Sequence, residues 1–95
     1  MSAREWQRAD LERWDAARDA NRRIALSAER LQFVSRMPLF CECDDPRCLA
    51  LVLIARDEFA RVEADWDVRL TAPGHRVDRT ASMDKAPGYW LQRTA

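Results

Sequence analysis

The sequence predicts an α+β protein, in which a long amphipathic helix precedes a small β-sheet unit with one short helix. Three observations predict this class. Residues 3–36 contain no glycine or proline, and three cysteines fall within the eight residues from Cys41 to Cys48. Short apolar runs rich in branched residues follow, separated by turn residues. We therefore divide the 95-residue chain into an N-terminal helical segment, residues 1–36, and a small α+β domain, residues 37–95.

The N-terminal helix is predicted from the spacing of its apolar residues. Ser2 is the predicted N-cap, and Pro38 is expected to end the helix. A helix of this span would be about 50 Å long, which exceeds what a globule of this size needs. Two interpretations stay open: the helix breaks near Asn21, or it projects to meet a partner. The apolar stripe, with three-to-four-residue spacing, comprises Trp6, Ala9, Trp14, Ala17, Ala20, Ile24, Ala28, Leu31 and Val34.

The second part combines short strands with one helix. Residues 56–65 are predicted to form that helix, with Phe59 and Val62 facing inward. Residues 49–54 are rich in branched residues and are expected to form a largely buried strand. Residues 76–87 are predicted to be a loop with at most one strand. The predicted strands are residues 39–43, 49–54, 68–71 and 88–93.

The cysteine cluster is the most informative part of the sequence. Residues i and i+2 of a strand point to the same face, so Cys41 and Cys43 can both face one ion. The Asp-Asp-Pro run that follows is typical of a turn, which can return Cys48 to the same place. A second turn, Pro73-Gly74, can bring in His75, the one histidine of the chain. Three cysteines and a histidine form a common closed zinc site, so we predict one zinc ion held by these four residues.

Other interpretations of the cluster stay open. The ligand types do not exclude iron, and Glu42, Asp44 or Asp45 can replace His75 as the fourth ligand. The cysteines can also be free buried thiols, or the first two can form a disulfide. Residues 1–23 are charged throughout and lack the apolar segment of a signal peptide. We therefore expect a reducing, cytoplasmic location, in which disulfides are rare.

Charge and motifs narrow the functional classes. The chain has 16 basic and 16 acidic residues and a formal net charge of zero, whereas nucleic-acid binding normally needs a basic surplus or stripe. No apolar run approaches the roughly 20 residues of a transmembrane helix. The sequence contains no zinc-deaminase, zinc-protease, serine-hydrolase or phosphate-loop motif. We therefore expect a protein that is not an enzyme and does not bind membranes.

The predicted function is that of a regulatory or adaptor module. We expect the N-terminal helix to contact a protein partner or a second copy, with Trp6, Trp14 and Trp66 as candidate contacts, because tryptophan is enriched at interface hot spots. Trp66 can instead cap the core. A zinc–thiolate redox sensor is one alternative function. A nucleic-acid-binding transcriptional regulator is another, and its basic face would comprise Arg18, Arg22, Arg23 and Arg30.

The order of these motifs resembles that of a known family. Phe40-Cys41-Glu42-Cys43, Cys48, Ala72-Pro73-Gly74-His75 and Tyr89-Trp90 resemble the F-x-C-E-C-x4-C … P-G-H pattern of small uncharacterised actinobacterial and phage zinc-binding proteins. The resemblance covers about residues 20–93. It implies that the three cysteines and the histidine are zinc ligands, and it implies no activity.

The chain departs from this family pattern in three places. Ala55 stands where the family has a threonine that would cap the following helix, and losing such a cap costs about 1 kcal/mol. Trp66 stands where a proline is usual. The region of residues 77–86 also differs, so the resemblance implies no structure there.

Overall fold

The structure is a computed structural model. It describes the backbone of residues 3–45 and 47–94, and the side chains of that set from residue 15 onward. Two helices and two small antiparallel sheets make up the described chain, so the predicted α+β class is confirmed. In chain order, the elements are α1 (Ala3–Arg30), β1 (Met37–Phe40), β2 (Leu51–Ile54), α2 (Arg56–Ala60), β3 (Val68–Thr71), β4 (Thr80–Ala86) and β5 (Tyr89–Thr94).

The two sheets are joined by the cysteine segment. β1 pairs with β2 in one sheet, and β5 lies between β3 and β4 in the other. Beyond the end of β1, the Cys41 N–H donates to the carbonyl of Ala50, and the Glu42 N–H donates to the carbonyl of Leu70 in β3. Consecutive residues therefore bond to different sheets, and the cysteine segment lies at their junction.

One buried apolar cluster draws on both sheets and both helices. Buried and exposed residues alternate along β1 and β2, as in strands that pack one face on a core. Phe59 and Val62 are buried, as predicted. Other members of the cluster are Ala28, Met37, Leu39, Val52, Ile54, Val68, Leu70 and Tyr89.

Pro38 does not end helix α1, contrary to the prediction. The helix ends at Arg30, in a local hydrogen-bond motif. Gln32 has a φ of 52°, in the left-handed region. Its N–H donates to the carbonyl of Glu29 at 3.1 Å, and the N–H of Phe33 donates to the carbonyl of Ala28 at 2.8 Å. This pair of bonds is the Schellman motif, which usually carries glycine at the left-handed position. The helix end was missed because glutamine gives no such signal.

The buried side of α1 also differs from the predicted apolar stripe. Leu31 and Val34 are 80% and 92% exposed, because they follow the end of the helix. Arg18 and Asn21, both polar, are completely buried. The helix continues through Asn21 without a break. The division of the chain after residue 36 stays a prediction.

Two other elements differ from expectation. The predicted buried strand at residues 49–54 is wrong in its burial, because Leu51 and Leu53 are 56% and 53% exposed. Helix α2 is five residues long and does not reach residue 65. Ala55 at its N-terminus provides no side-chain cap, which is consistent with a short helix. None of the helices in the described part of the chain combines the length and apolarity needed to cross a membrane.

Candidate metal centre

The four predicted ligands come together at the junction of the two sheets. The ligand atoms of Cys41, Cys43, Cys48 and His75 all lie within 4.8 Å of one another. His75 Nδ1 lies 3.7 Å from Cys41 Sγ and 3.3 Å from Cys48 Sγ. In a tetrahedral zinc site, bond lengths of about 2.3 Å to sulfur and 2.0 Å to nitrogen place neighbouring ligand atoms roughly 3.6 Å apart. The cluster therefore fits a tetrahedral metal ion of that size.

Two local features place the cysteines. The extended backbone at residues 41–43 points Cys41 and Cys43 to one side, and the Ala72 N–H donates to Cys41 Sγ at 3.2 Å. The chain then turns, with the Cys48 N–H donating to the carbonyl of Asp45 at 3.1 Å. The side chain of Asp45 stabilises this turn by accepting the backbone N–H two residues later, at 2.9 Å, which is a typical aspartate turn. The predicted turn is thus present.

A tight turn also places His75. Its N–H donates to the carbonyl of Ala72 at 3.1 Å, with Pro73 and Gly74 as the two central residues. Gly74 has a φ of 85°, which a type II turn requires at its third position and which glycine adopts without steric cost. The Pro-Gly pair therefore delivers the imidazole to the thiols by backbone geometry alone.

A buried glutamine supports the loop that carries His75. Gln92 of β5 is completely buried, and its Nε2 donates to the carbonyl of His75 at 2.7 Å and to the hydroxyl of Thr71 at 2.8 Å. Its Oε1 accepts the N–H of Val77 and the hydroxyl of Thr80, both at 3.0 Å. Nothing in the sequence marks this residue as part of the site, because a lone polar residue in a strand does not reveal which loop it contacts.

The environments of two thiols differ. Burial raises the pKa of Cys41 to about 12, although the Ala72 N–H opposes this effect. Burial also acts to raise the pKa of Cys43, but hydrogen bonds with His75, with the Asp45 backbone and with the other two thiols outweigh it, so the pKa is lowered. Zinc binds the thiolate form and displaces the proton. A bound cation would therefore supply the positive charge that a buried Cys41 thiolate needs.

Two of the alternative explanations of the cluster, a disulfide and an acidic fourth ligand, do not match this geometry, whereas free thiols are compatible with it. The three cysteines are free thiols, so the disulfide interpretation is not met. Of the acidic alternatives to His75, Glu42 points away from the thiols. Asp44 accepts hydrogen bonds from the Arg69 guanidinium and, at 2.6 Å, from the Asp78 N–H. The carboxylate of Asp45 is used by its own turn.

A second polar cluster lies on the opposite side of the cysteine segment. Glu42 is completely buried, and its carboxylate forms two bonds with the Arg18 guanidinium, at 2.8 and 2.9 Å. It also accepts the side-chain amide of Asn21 at 3.1 Å and the N–H of Leu70 at 2.8 Å. Asn21 further pairs with both the N–H and the carbonyl of Phe40, at 2.7 and 3.0 Å. Glu42 therefore joins α1 to the strand segment beside the metal ligands.

Arg18 makes further contacts, and its burial contradicts one predicted role. Its side chain is 0% exposed, so the prediction that it belongs to an exposed basic face is wrong. The Trp66 ring lies 5.5 Å from the guanidinium, and Trp66, which is 39% exposed, therefore covers Arg18 from the solvent side. The remaining guanidinium donors bond to backbone carbonyls after α2, which are those of Val62, Glu63, Asp65 and Val68.

The other two candidate contact residues, Trp6 and Trp14, lie outside the residues whose side chains the structure describes. Comparison with protein-family models, curated proteins and solved structures finds no match to this chain. The family resemblance therefore stays a prediction. What the geometry supplies is a set of four sulfur and nitrogen ligands suited to a metal ion.

Proposed function

We propose that the chain binds one zinc ion through Cys41, Cys43, Cys48 and His75, and that this ion is structural. The observation that carries the proposal is the convergence of three thiols and one imidazole within 4.8 Å, the ligand set of closed structural sites. Bound zinc would cross-link the cysteine segment with the two turns that carry Cys48 and His75. Structural zinc supplies folding free energy on the order of 10 kcal/mol, and a unit of this size has a small core.

Native mass spectrometry of the protein beside His75→Ala tests the zinc site. One zinc per chain, bound more weakly in the variant, is the expected result. Chelation should then unfold residues 37–94, with loss of far-UV circular dichroism, because the junction loses its cross-link. The proposal is wrong if the protein carries no metal, and the ligand set is wrong if zinc binds undiminished without the imidazole.

We further propose that the protein acts as a non-enzymatic regulatory or adaptor module through protein contacts of α1. Helix α1 has 28 residues, about 42 Å of length, and the molecule measures 45 Å by 23 Å by 22 Å. Trp6 and Trp14 both belong to the first half of the α1 sequence. The first half of this long helix therefore contains two tryptophans, the residue type most enriched at interface hot spots, and this supports a contact role.

The contact role is tested by removing the early turns of α1 while keeping Arg18. A chain lacking residues 1–13 should keep one zinc per chain and its thermal unfolding transition, because the Arg18–Glu42 cluster remains. It should fail to capture the proteins that the full chain captures. Trp6→Ala is the matched point variant and should weaken the same capture. Equal capture by the full and shortened chains would contradict the proposal.

A further inference from the structure

The outer face of the β1–β2 sheet is apolar and exposed. In the ladder, Pro38 lies opposite Leu53 and Phe40 opposite Leu51, so four apolar residues form two neighbouring cross-strand pairs. Phe40, Leu51 and Leu53 are 44%, 56% and 53% exposed, and Leu49, two residues before Leu51, is 90% exposed. We call these five residues the outer sheet face.

The second sheet shows what a solvated face of this protein contains. The exposed residues of β4 include Ser82, Asp84 and Lys85, which are polar or charged. Strands with one solvated face normally alternate apolar and polar residues, whereas strands buried on both faces are continuously apolar. β1 and β2 follow the second pattern, since Met37, Leu39, Val52 and Ile54 fill the inner face. The composition of β1 and β2 therefore indicates a covered outer face.

The edge of β1 is closed to strand addition. Asn21 occupies both the N–H and the carbonyl of Phe40, and Pro38 has no N–H to donate. Proline and blocked backbone groups prevent edge-to-edge pairing. A partner can therefore contact the side chains of the outer sheet face but cannot pair with the backbone at this edge.

We propose that the outer sheet face packs against the same face of a second copy of this chain, related by a two-fold axis. None of its five residues is charged, so two copies meet without like-charge repulsion, whereas the opposite charges that would favour a different partner are absent from the face itself. Two sheet faces pack face to face about 10 Å apart, and a two-fold axis between them makes every contact reciprocal, as in other isologous interfaces.

The size of the face sets the strength of this dimer. Its exposed apolar area is roughly 450 Å² per copy, typical of the largest patch on a monomer. Two such faces bury roughly 900 Å², which is below the range of stable specific interfaces and within that of weak, transient ones. The dimer is therefore concentration-dependent, and monomers fold without it.

Sedimentation equilibrium of the full zinc-loaded chain over a range of concentrations tests the proposal. We expect a monomer–dimer equilibrium that Leu51→Glu and Leu51→Lys each weaken at least tenfold. An equimolar mixture of the two variants should recover dimerisation, because opposite charges then face each other across the axis. Val34→Glu is the matched control: Val34 is 92% exposed outside the face, so its variant should dimerise like the parent.

Native mass spectrometry of each variant keeps this test separate from the zinc proposal, since one zinc per chain shows that the metal unit has folded. A chain that stays monomeric at all concentrations overturns the inference. So does a dimer that both Leu51 variants leave intact, and in that case loss of the dimer on removing residues 1–13 would place self-association in α1. Failure of zinc binding would overturn the zinc proposal alone; the dimer would then be assayed on the chain as purified, with circular dichroism as the check that parent and variants are equally folded.

Discussion

The two sides of the segment Cys41–Cys43 are built from different chemistry. On one side, Cys41 and Cys43 face a third thiol and an imidazole, a ligand set that fits a metal ion. On the other side, Glu42 accepts four hydrogen bonds from Arg18, Asn21 and a backbone N–H. We refer to these as the metal side and the carboxylate side. Strand alternation separates them, because neighbouring residues point to opposite faces.

The two sides differ in where the partners of their polar groups come from. The carboxylate side is complete within the chain, since every oxygen of Glu42 is bonded and the Arg18 donors also reach backbone carbonyls. The metal side brings together three thiols, and burial raises the pKa of Cys41 to about 12, so a thiolate there needs the positive charge of a bound cation. One strand segment therefore couples an internal ion pair to a site for an external ion, and either side can be broken separately.

The largest effect is expected from breaking the carboxylate side. Glu42→Gln keeps the shape of the side chain but removes its charge, which leaves the completely buried Arg18 without a counter-charge. Removing one partner of a buried pair costs about 3–5 kcal/mol. Urea denaturation of the zinc-loaded protein measures this loss. Asp19→Asn is the matched control, because its ion pair with Arg23 at 3.0 Å is exposed and such pairs contribute at most about 1 kcal/mol.

The double variant Arg18→Met with Glu42→Gln sharpens this prediction. It removes both charges, so its loss should be smaller than the sum of the two single losses. Additive losses would contradict the assignment of the two residues as one coupled pair. Equal losses for Glu42→Gln and Asp19→Asn would show that the buried pair contributes no more than the exposed one.

A smaller effect is expected from loosening the metal side. Gln92→Leu removes the four hydrogen bonds that hold the loop of His75. Two of these bonds are only part-buried, so water can replace them, and the total loss should be about 1–3 kcal/mol, the cost of one unpaired buried group. Zinc affinity should fall as well, measured by competition with a chromophoric chelator. Arg93→Ala, at the exposed next position of β5, is the control and should leave zinc affinity unchanged. Unaltered affinity in Gln92→Leu would contradict a positioning role.

The comparison also explains what could be predicted from the sequence. The metal side was predictable because Cys41, Cys43 and Cys48 are close in sequence and Pro73-Gly74 has one dominant turn geometry. The carboxylate side was not, because Glu42 meets its side-chain partners across separations of 24 and 21 residues. A charged residue in a helix is normally solvated, so nothing in the sequence marks Arg18 as buried.

The strands show the same limit. Residues 68–71 form β3 as predicted, and the last strand is β5, Tyr89–Thr94, because a branched or aromatic run between turns has few other local choices. The burial of Leu51 and Leu53 was predicted wrongly, since both faces of β2 are apolar and the pattern cannot tell which face meets the core. The local sequence is enough to predict that a strand forms, whereas the burial of each strand face depends on what the rest of the fold packs against it.

The smallest effect concerns the end of the helix that carries the carboxylate side. Gln32 holds a φ of 52° in the Schellman motif, where a side chain costs about 1–2 kcal/mol relative to glycine. Gln32→Gly removes this cost but gives the unfolded chain more freedom, which offsets about 0.4–1 kcal/mol. The net result should be a stabilisation of about 0.5 kcal/mol, measured by urea denaturation of the zinc-loaded protein. Zinc affinity should not change, because the substitution alters neither the four ligands nor the turns that carry Cys48 and His75.

Gln32→Ala separates the two contributions to that gain. Alanine keeps the Cβ atom that disfavours the left-handed region, so this variant should show no stabilisation, and a gain equal to that of glycine would contradict the backbone explanation. Because α1 carries Arg18 and Asn21, a firmer helix end also strengthens the carboxylate side alone. The glycine variant should therefore raise the stability of the zinc-loaded protein without changing its zinc affinity, whereas Gln92→Leu on the metal side should lower both.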